Sequence, residues 1–493
     1  MPGPWSLRAR PAPAPPSPGA QRAWLRPLGE QAFSRAAGAP LVPGNRVRLL
    51  RDAAENFPAW LRAIERAERS VWFEAYILAG DQIGTRFARA LAEKARQGVQ
   101  VRVLHDWLGG LGEADRGFWR RLAAAGVEVR CFNPPRLESP LAFLRRDHRK
   151  CTVVDGELGF VSGLCVADRW CGDPARGEPP WRDSGLEVRG PAVADLARAF
   201  ARTWAEAGPA IPLGELPDPS DLPAAGDTAV RVVATEPATA GLLRLDQLIA
   251  AVARERLWIT DAYYVGMPSY VQALRGAAAD GVDVRFLVPG RSDLGLVKRL
   301  GTAGYRPLLE AGVRLFEWSG PMLHAKTAVA DGRWARVGSS NLNASSFMGN
   351  WELDVAVEDE AFGAEMERQF EADLATATEV VLSRRRRPVH GPPAPRPRVR
   401  EGSAVATAGA MRLGNAVGAA LSGHRLLGPA EASLLLFAGL ALLGLVVVTG
   451  LYPRAVLAPF LVLGAWIGVA LVLRGVRLWR ERPPPEGPPP PAA

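Results

Sequence analysis

A domain-sized internal repeat constrains this chain more than any other feature. The run Ser70–Leu78 (SVWFEAYIL) returns as Arg256–Tyr264 (RLWITDAYY). Gly98–Leu104 (GVQVRVL) returns as Gly281–Leu287 (GVDVRFL), and Ala125–Phe132 (AGVEVRCF) as Ala311–Phe316 (AGVRLF). The offset is about 185 residues each time, far longer than a solenoid period. Within the first copy, strand patterns at Ser70–Leu78, Val99–Leu104 and Val127–Phe132 alternate with helical patterns at Thr85–Gln97 and Phe118–Ala125. That alternation predicts parallel βαβ units. The chain is therefore read as two α/β halves facing each other across a pseudo-twofold axis.

Each copy carries a His-x-Lys followed by Asp five residues after the Lys. The first is His148, Lys150 and Asp155 (HRKCTVVDG), the second His324, Lys326 and Asp331 (HAKTAVADG). The chain is poor in both leading residues: its lysines are Lys94, Lys150, Lys298 and Lys326, against 5 histidines in all. Each run after the His is β-rich and ends in Asp-Gly, a hairpin signal. Residues i and i+2 of a strand share a face, so each His points with its Lys. Two such halves brought together supply two imidazoles and two ammonium groups at one point. That set suits a phosphodiester: the lysines neutralise charge on the phosphate and in the transition state, one His attacks phosphorus, and the other moves the proton. The motif Asp lies up to ~20 Å from its own His along an extended strand and is better placed to fix the turn.

A nucleophilic His needs an acceptor that sets its tautomer. Asp183 (WRDSGLEV) and Glu352 (NWELDV) each open a strand leading into a similar helix and are the candidates for that role. Ser339 and Asn341, with Ser162 and Gly163 in the matching part of the first copy, are candidate donors to phosphate oxygens. No metal or other cofactor is expected, because no carboxylate cluster is in sight to hold a cation. The four cysteines match no zinc spacing and read as reduced thiols.

The chain has 60 Lys+Arg against 51 Asp+Glu, a net charge of +9. Much of this excess lies in the tails and beside two apolar runs, Ser433–Tyr452 and Ala455–Leu473. Each run is about long enough to cross ~30 Å of hydrocarbon as a helix. The expectation is a transmembrane helical hairpin with both ends, and the catalytic body, on the cytoplasmic side. An anionic membrane accounts for the basic flanks as well as nucleic acid would, so nucleic acid is the disfavoured partner.

At these motifs the chain resembles the phospholipase D superfamily, over roughly residues 46–383. Segments such as GVQVRVLHDWLG, WRDSGLEVRGPAV and RVGSSNLNASS look most like bacterial cardiolipin synthases, particularly the B-type group. The resemblance implies two phospholipase D-like domains with mixed sheets flanked by helices. It implies transfer of a phosphatidyl group between two phosphatidylglycerols with release of glycerol, through a phosphohistidine, at a bacterial cell membrane. It implies that His148, Lys150, Asp155, His324, Lys326 and Asp331 form the active site, with His148 the nucleophile. A hydrolytic phospholipase D and a nuclease of the same superfamily remain alternatives. Many relatives have Asn where Cys165 stands. The expected organisation is a disordered tail over 1–45, domains over 46–211 and 229–383 joined by a linker at 212–228, a basic connector over 384–430, the hairpin over 431–475 and a basic, Pro-rich tail over 476–493.

Overall fold

The computed structural model describes residues 29–135 and 145–382, and near the C-terminus residues 436, 439–440, 443–444 and 446–480. After a helix α1 over residues 29–37, the first half runs β1 (Val42–Arg51), α2 (Asp52–Arg66), β2 (Ser70–Ala75), α3 (Gln82–Arg96), β3 (Gln100–Asp106), α4 (Arg116–Ala124), β4 (Glu128–Phe132), β5 (Lys150–Val154), β6 (Leu158–Ser162), α5 (Asp168–Cys171), β7 (Ser184–Arg189) and α6 (Val193–Glu206). The second half repeats it as β8 (Thr228–Thr235), α7 (Gly241–Val252), β9 (Arg256–Thr260), α8 (Pro268–Ala279), β10 (Asp283–Pro289), α9 (Gly295–Ala303), α10 (Tyr305–Glu310), β11 (Arg314–Trp318), β12 (Thr327–Ala330), β13 (Trp334–Gly338), β14 (Glu352–Glu358), α11 (Glu360–Leu374) and β15 (Ala377–Val380).

The strands form one sheet. From one edge the order is β4-β3-β2-β5-β6-β7-β1, then β8-β14-β13-β12-β9-β10-β11 and β15. Apart from β15 the two series are mirror orders of equivalent strands, as a pseudo-twofold axis between β1 and β8 requires. Each half is mixed: β2, β3 and β4 are parallel, and β2-β5-β6-β7-β1 are antiparallel neighbours. The axis is crossed by β1 and β8, paired at Val42↔Val230 and Asn45↔Thr228 with a register shift between. Fully buried Asn45 fills that irregularity, its amide donating to Val42 O at 2.7 Å and its Oδ1 accepting from Ala192 N at 2.8 Å. Buried polar groups of this kind persist only when paired.

Each half packs its own helices on the outer face of the sheet. Phe57, Trp60, Phe87 and Phe118 of α2, α3 and α4 cover one half, and Leu242, Leu245, Tyr270 and Leu274 of α7 and α8 cover the other. A third apolar cluster is shared: Phe200 and Trp204 of α6 lie in one body with Leu353 of β14 and Phe370 of α11. Arg149, between the motif His and Lys, points away from them and is fully buried. Its guanidinium donates to Glu352 O, Thr235 O, Ala199 O and Thr203 Oγ1, so the first motif strand is tied into the second half.

Three expectations change. The helix over 29–37 and strand β1 from Val42 fall inside the segment expected to lack structure; Ala37 is buried, and Ser34 and Ala39 accept hydrogen bonds from Arg231. The second apolar run lies inside helix α12 (Pro453–Arg480), which continues past Leu473, while the first run is described only in part, at residues 436, 439–440, 443–444 and 446–452. Among the described residues no helix is long and apolar enough to cross a membrane. The two-helix transmembrane hairpin is thus unsupported, and the orientation drawn from it loses its basis. The connector at 384–430 lies outside the described residues, as do 1–28 of the first tail and 481–493 of the last.

The third point concerns the motif aspartates, which the resemblance grouped with the histidines and which lie away from the histidine end of the sheet. Asp155 and Asp331 sit past the far ends of β5 and β12, in the left-handed region with φ of 53° and 51°. Asp155 accepts backbone N–H groups from Glu68, Arg69 and Ser70. Asp331 does the same for Arg254, Glu255 and Arg256. Each carboxylate therefore locks its hairpin onto the start of the neighbouring antiparallel strand, β2 or β9. These contacts are those of the turn-fixing role read from the residue spacing, at the end of the sheet away from the histidines with which the resemblance grouped both aspartates. Asp155→Ala should lower the unfolding free energy by about 1–3 kcal/mol, read from a denaturant melt, while the folded protein keeps its active-site geometry. Unchanged stability would contradict this assignment.

Candidate active site

The site is built by exchange between the halves. Just before each motif His, the chain makes a short parallel bridge to the residue preceding the other half's carboxylate strand: Asp147 with Trp351, and Arg182 with Leu323. His148 N donates to Trp351 O at 2.9 Å, and His324 N to Arg182 O at 2.7 Å. Glu352 and Asp183 follow immediately. The next side chain along each bridge is thereby delivered to the opposite His.

His148 Nδ1 lies 2.9 Å from Glu352 Oε2, and His324 Nδ1 lies 2.7 Å from Asp183 Oδ2. The sequence singled out both carboxylates as orienting groups, and the structure pairs each with the histidine of the other half. Both are fully buried. Glu352 also accepts from Ser339 Oγ at 2.5 Å and Asn350 Nδ2 at 3.1 Å. Asp183 accepts from Trp170 Nε1 at 3.1 Å and from Ser184 N at 2.8 Å. With Nδ1–H given to a carboxylate, Nε2 of each imidazole keeps its lone pair for chemistry.

The lysines lie beside their histidines. Lys150 Nζ donates to His148 O. Lys326 Nζ donates to His324 O and lies 2.9 Å and 3.1 Å from the two nitrogens of that ring. A tyrosine closes over each pair: the Tyr76 ring is 4.9 Å from His148 and 5.2 Å from Lys150 Nζ, and the Tyr263 ring is 5.6 Å from both His324 and Lys326 Nζ.

Charge balance follows from this packing. Burial keeps both imidazoles neutral: it outweighs the pull of Glu352 on His148, whose pKa falls, and with the Lys326 ammonium it outweighs Asp183 at His324, which is pushed down to about 3. Lys326 falls to about 8, mainly through burial, with Lys150 adding repulsion. Burial opposes the charge on Asp183 and Glu352, yet their histidine partners and the lysines win, and both carboxyls stay below the usual range. Lys150 acts on Lys326 and on His324, and Lys326 acts on His148. The two motifs therefore share one electrostatic site.

The candidate phosphate donors divide. Ser339 is committed to Glu352, and its Oγ also accepts from Leu353 N. Gly163, its counterpart, packs so tightly on Asp183 that a Cβ there would meet Oδ1 at 2.2 Å. Ser162 Oγ is buried and turned to Leu164 O at 3.4 Å. Asn341 is buried with an unpartnered Oδ1. Sequence reading missed Tyr76, Tyr263, Trp170, Trp181 and Asn350. Tyr76 and Tyr263 close equivalent repeat segments, SVWFEAY and RLWITDAY, and that pairing was the available signal. Among the described residues no cluster of His, Cys, Asp and Glu is arranged to hold a metal ion.

Nitrogen-15 NMR of labelled imidazoles should show His324 neutral and Nδ1-protonated from pH 5 to 8, and His148 titrating below the ordinary imidazole range. An imidazolium signal for His324 at pH 6 would contradict the burial argument.

Comparison with known proteins agrees with this geometry. Residues 60–169 and 246–374 match the family described as cardiolipin synthase, PLD-like domain. A protein named cardiolipin synthase A from Pseudomonas aeruginosa is 36% identical over 363 residues, covering 73% of each chain. Cardiolipin synthase 1 from Bacillus cereus is 31% identical over 360 residues, covering 71% of this chain and 70% of the relative. The first of these carries the A designation, where the sequence segments resembled the B-type group. The crystal structure of a phosphatidylserine synthase from Haemophilus influenzae superposes with a TM-score of 0.57 at 15% identity, covering 71% of this chain and 91% of that one, and shows the same fold. The chain is an enzyme of the phospholipase D superfamily and belongs to the cardiolipin synthase family.

Proposed function

We propose that this protein is a phosphatidyltransferase that joins two phosphatidylglycerols into cardiolipin and releases glycerol, working at a bacterial membrane surface. One observation carries the reading: two neutral imidazoles, each oriented by the opposite half, share a site with two lysines. Only a group small enough to touch both halves fits such an arrangement, and it must be anionic to suit the lysines. A phosphodiester meets both conditions.

The geometry supports the following chemistry. Lys150 and Lys326 hold the non-bridging oxygens of the donor. His148 is the nucleophile, because its side chain is the more exposed (12% against 5%) and, among the described residues, the ammonium hydrogen-bonded to an imidazole of the pair is Lys326 on His324. Its Nε2 attacks phosphorus, forming an N–P bond as the ester bond to glycerol breaks. The arriving phosphate charge favours uptake of a proton from water at Nε2 of the second imidazole, which returns it to water when product leaves. His324 passes that proton to the departing glycerol oxygen. In the second step a hydroxyl of another phosphatidylglycerol gives its proton back to His324 and attacks phosphorus. The N–P bond breaks and cardiolipin leaves. Asn341 is the remaining candidate for a phosphate contact.

Full-length protein given vesicles of phosphatidylglycerol should produce cardiolipin and glycerol in equal amounts, and His148→Ala and His324→Ala should each abolish this. Phosphatidic acid as sole product would make the protein a hydrolase. Cleavage of single-stranded DNA without lipid turnover would make it a nuclease.

The lysine sets the alkaline limit. Lys326 is charged below its lowered value of about 8 and loses the proton as pH rises through it, so kcat/KM should decline above about pH 8. A profile flat to pH 10 would contradict a phosphate-neutralising Lys326.

A further inference from the structure

The two sides of the site are not equivalent. The segment between β6 and β7 is longer than its counterpart between β13 and β14, and the extra chain carries α5. It places Trp170 and Trp181 against His324, ring centroids 5.3 and 5.8 Å away. Among the described residues no tryptophan ring packs on His148, whose ring meets Tyr76. Arg169 lies over both tryptophans, its guanidinium carbon 5.2 and 5.9 Å from their rings. Glu113 fixes one edge of the guanidinium through Nη2 at 2.8 Å. The side chain is one-third exposed, so an outer face is open. From the second half, Asp293 enters the same neighbourhood: it accepts from Tyr263 OH at 2.8 Å and is an electrostatic neighbour of Arg169 and Lys326.

We infer that Arg169 binds the phosphate of the acceptor lipid, on the His324 side of the site. This rests on the phosphatidyltransferase reading above and specifies its second substrate. In that reaction the departing alcohol is glycerol and the entering alcohol is the glycerol of a second phosphatidylglycerol. Both react beside His324, so both use the ground near Tyr263 and Asp293. They differ in one respect: the acceptor's glycerol carries a phosphate three carbons from the attacking hydroxyl, and free glycerol does not. An arginine two contacts away from His324, its planar guanidinium oriented by a carboxylate and by aromatic faces, suits that phosphate, because a guanidinium meets phosphate oxygens with parallel N–H donors. Lys150 and Lys326 are already engaged by the donor phosphorus. The bonds made and broken are those of the second step: O–P forms, N–P breaks, and the hydroxyl proton passes to His324.

The test separates acceptors with and without a phosphate. Full-length protein in phosphatidylglycerol vesicles is supplied with labelled glycerol, and two products are followed: cardiolipin, and phosphatidylglycerol carrying the label by exchange. Arg169→Ala should lower cardiolipin formation about 10- to 100-fold, the loss expected for a charge-assisted contact, with glycerol exchange within about twofold of wild type. The defect should appear as a raised KM for the acceptor lipid, and Arg169→Lys should recover part of it. A parallel fall in both products would show a merely structural Arg169, and unchanged cardiolipin formation would show no contact; either overturns the inference. If wild-type protein makes neither product, the parent reading fails first, an outcome visible before any variant is examined.

Discussion

Each histidine of this protein depends on a carboxylate it does not own. The crossed pairs His148–Glu352 and His324–Asp183 are fully or nearly buried, and a buried carboxylate without a partner is costly. Neither half is therefore electrostatically complete by itself. Separating them would strand Glu352 beside Ser339 and Asn350, and Asp183 beside Trp170, with no imidazole to receive. The shared apolar cluster, the β1–β8 junction and Arg149 hold the halves in register, and that register sets the site. Lys150 and Lys326 add two positive charges that Glu352 and Asp183 offset, so the resting site is close to neutral and a phosphodiester anion enters it at little electrostatic cost.

Much of the fold was legible because repetition is a one-dimensional signal. The duplicated runs located β2, β3, β4 and their partners β9, β10, β11, and the parallel pairing followed from the alternation with helices. The strand expected over Ser70–Leu78 ends at Ala75, since Tyr76 turns out of the sheet to cover His148. Helix α3 begins earlier than expected, at Gln82, where Asp81 accepts from Gly84 N as an N-cap. The helix over 29–37 was not visible because Phe33 is its only large apolar residue, and its burial depends on Phe33 and Ala37 packing against distant α7 and β8.

The site was legible in its chemistry and illegible in its connectivity. Spacing on a strand shows that His148 and Lys150 share a face, and Asp183 and Glu352 stand out by their place at strand starts. Nothing along the chain says that the carboxylates are exchanged, because that depends on a bridge formed only when both halves are present. The spacing did show Asp155 and Asp331 to be turn residues, against the family motif that lists them with the histidines. Trp170, Trp181 and Arg169 escaped notice for a different reason: they lie in a segment that the repeat does not share. The departure from symmetry is what gives the two histidines unequal surroundings, and unequal surroundings are what a reaction with a distinct nucleophile and proton carrier calls for.

The central claim is that both imidazoles meet over a single phosphorus atom. Rapid acid-free quenching of the full-length protein with phosphatidylglycerol labelled at phosphorus, followed by peptide mapping, measures it directly. The account predicts an acid-labile label on an imidazole of the motif pair, with no more than one labelled phosphoryl group per chain. Label on both His148 and His324 of the same chain, or on a residue outside the pair, would show independent half-sites and contradict it.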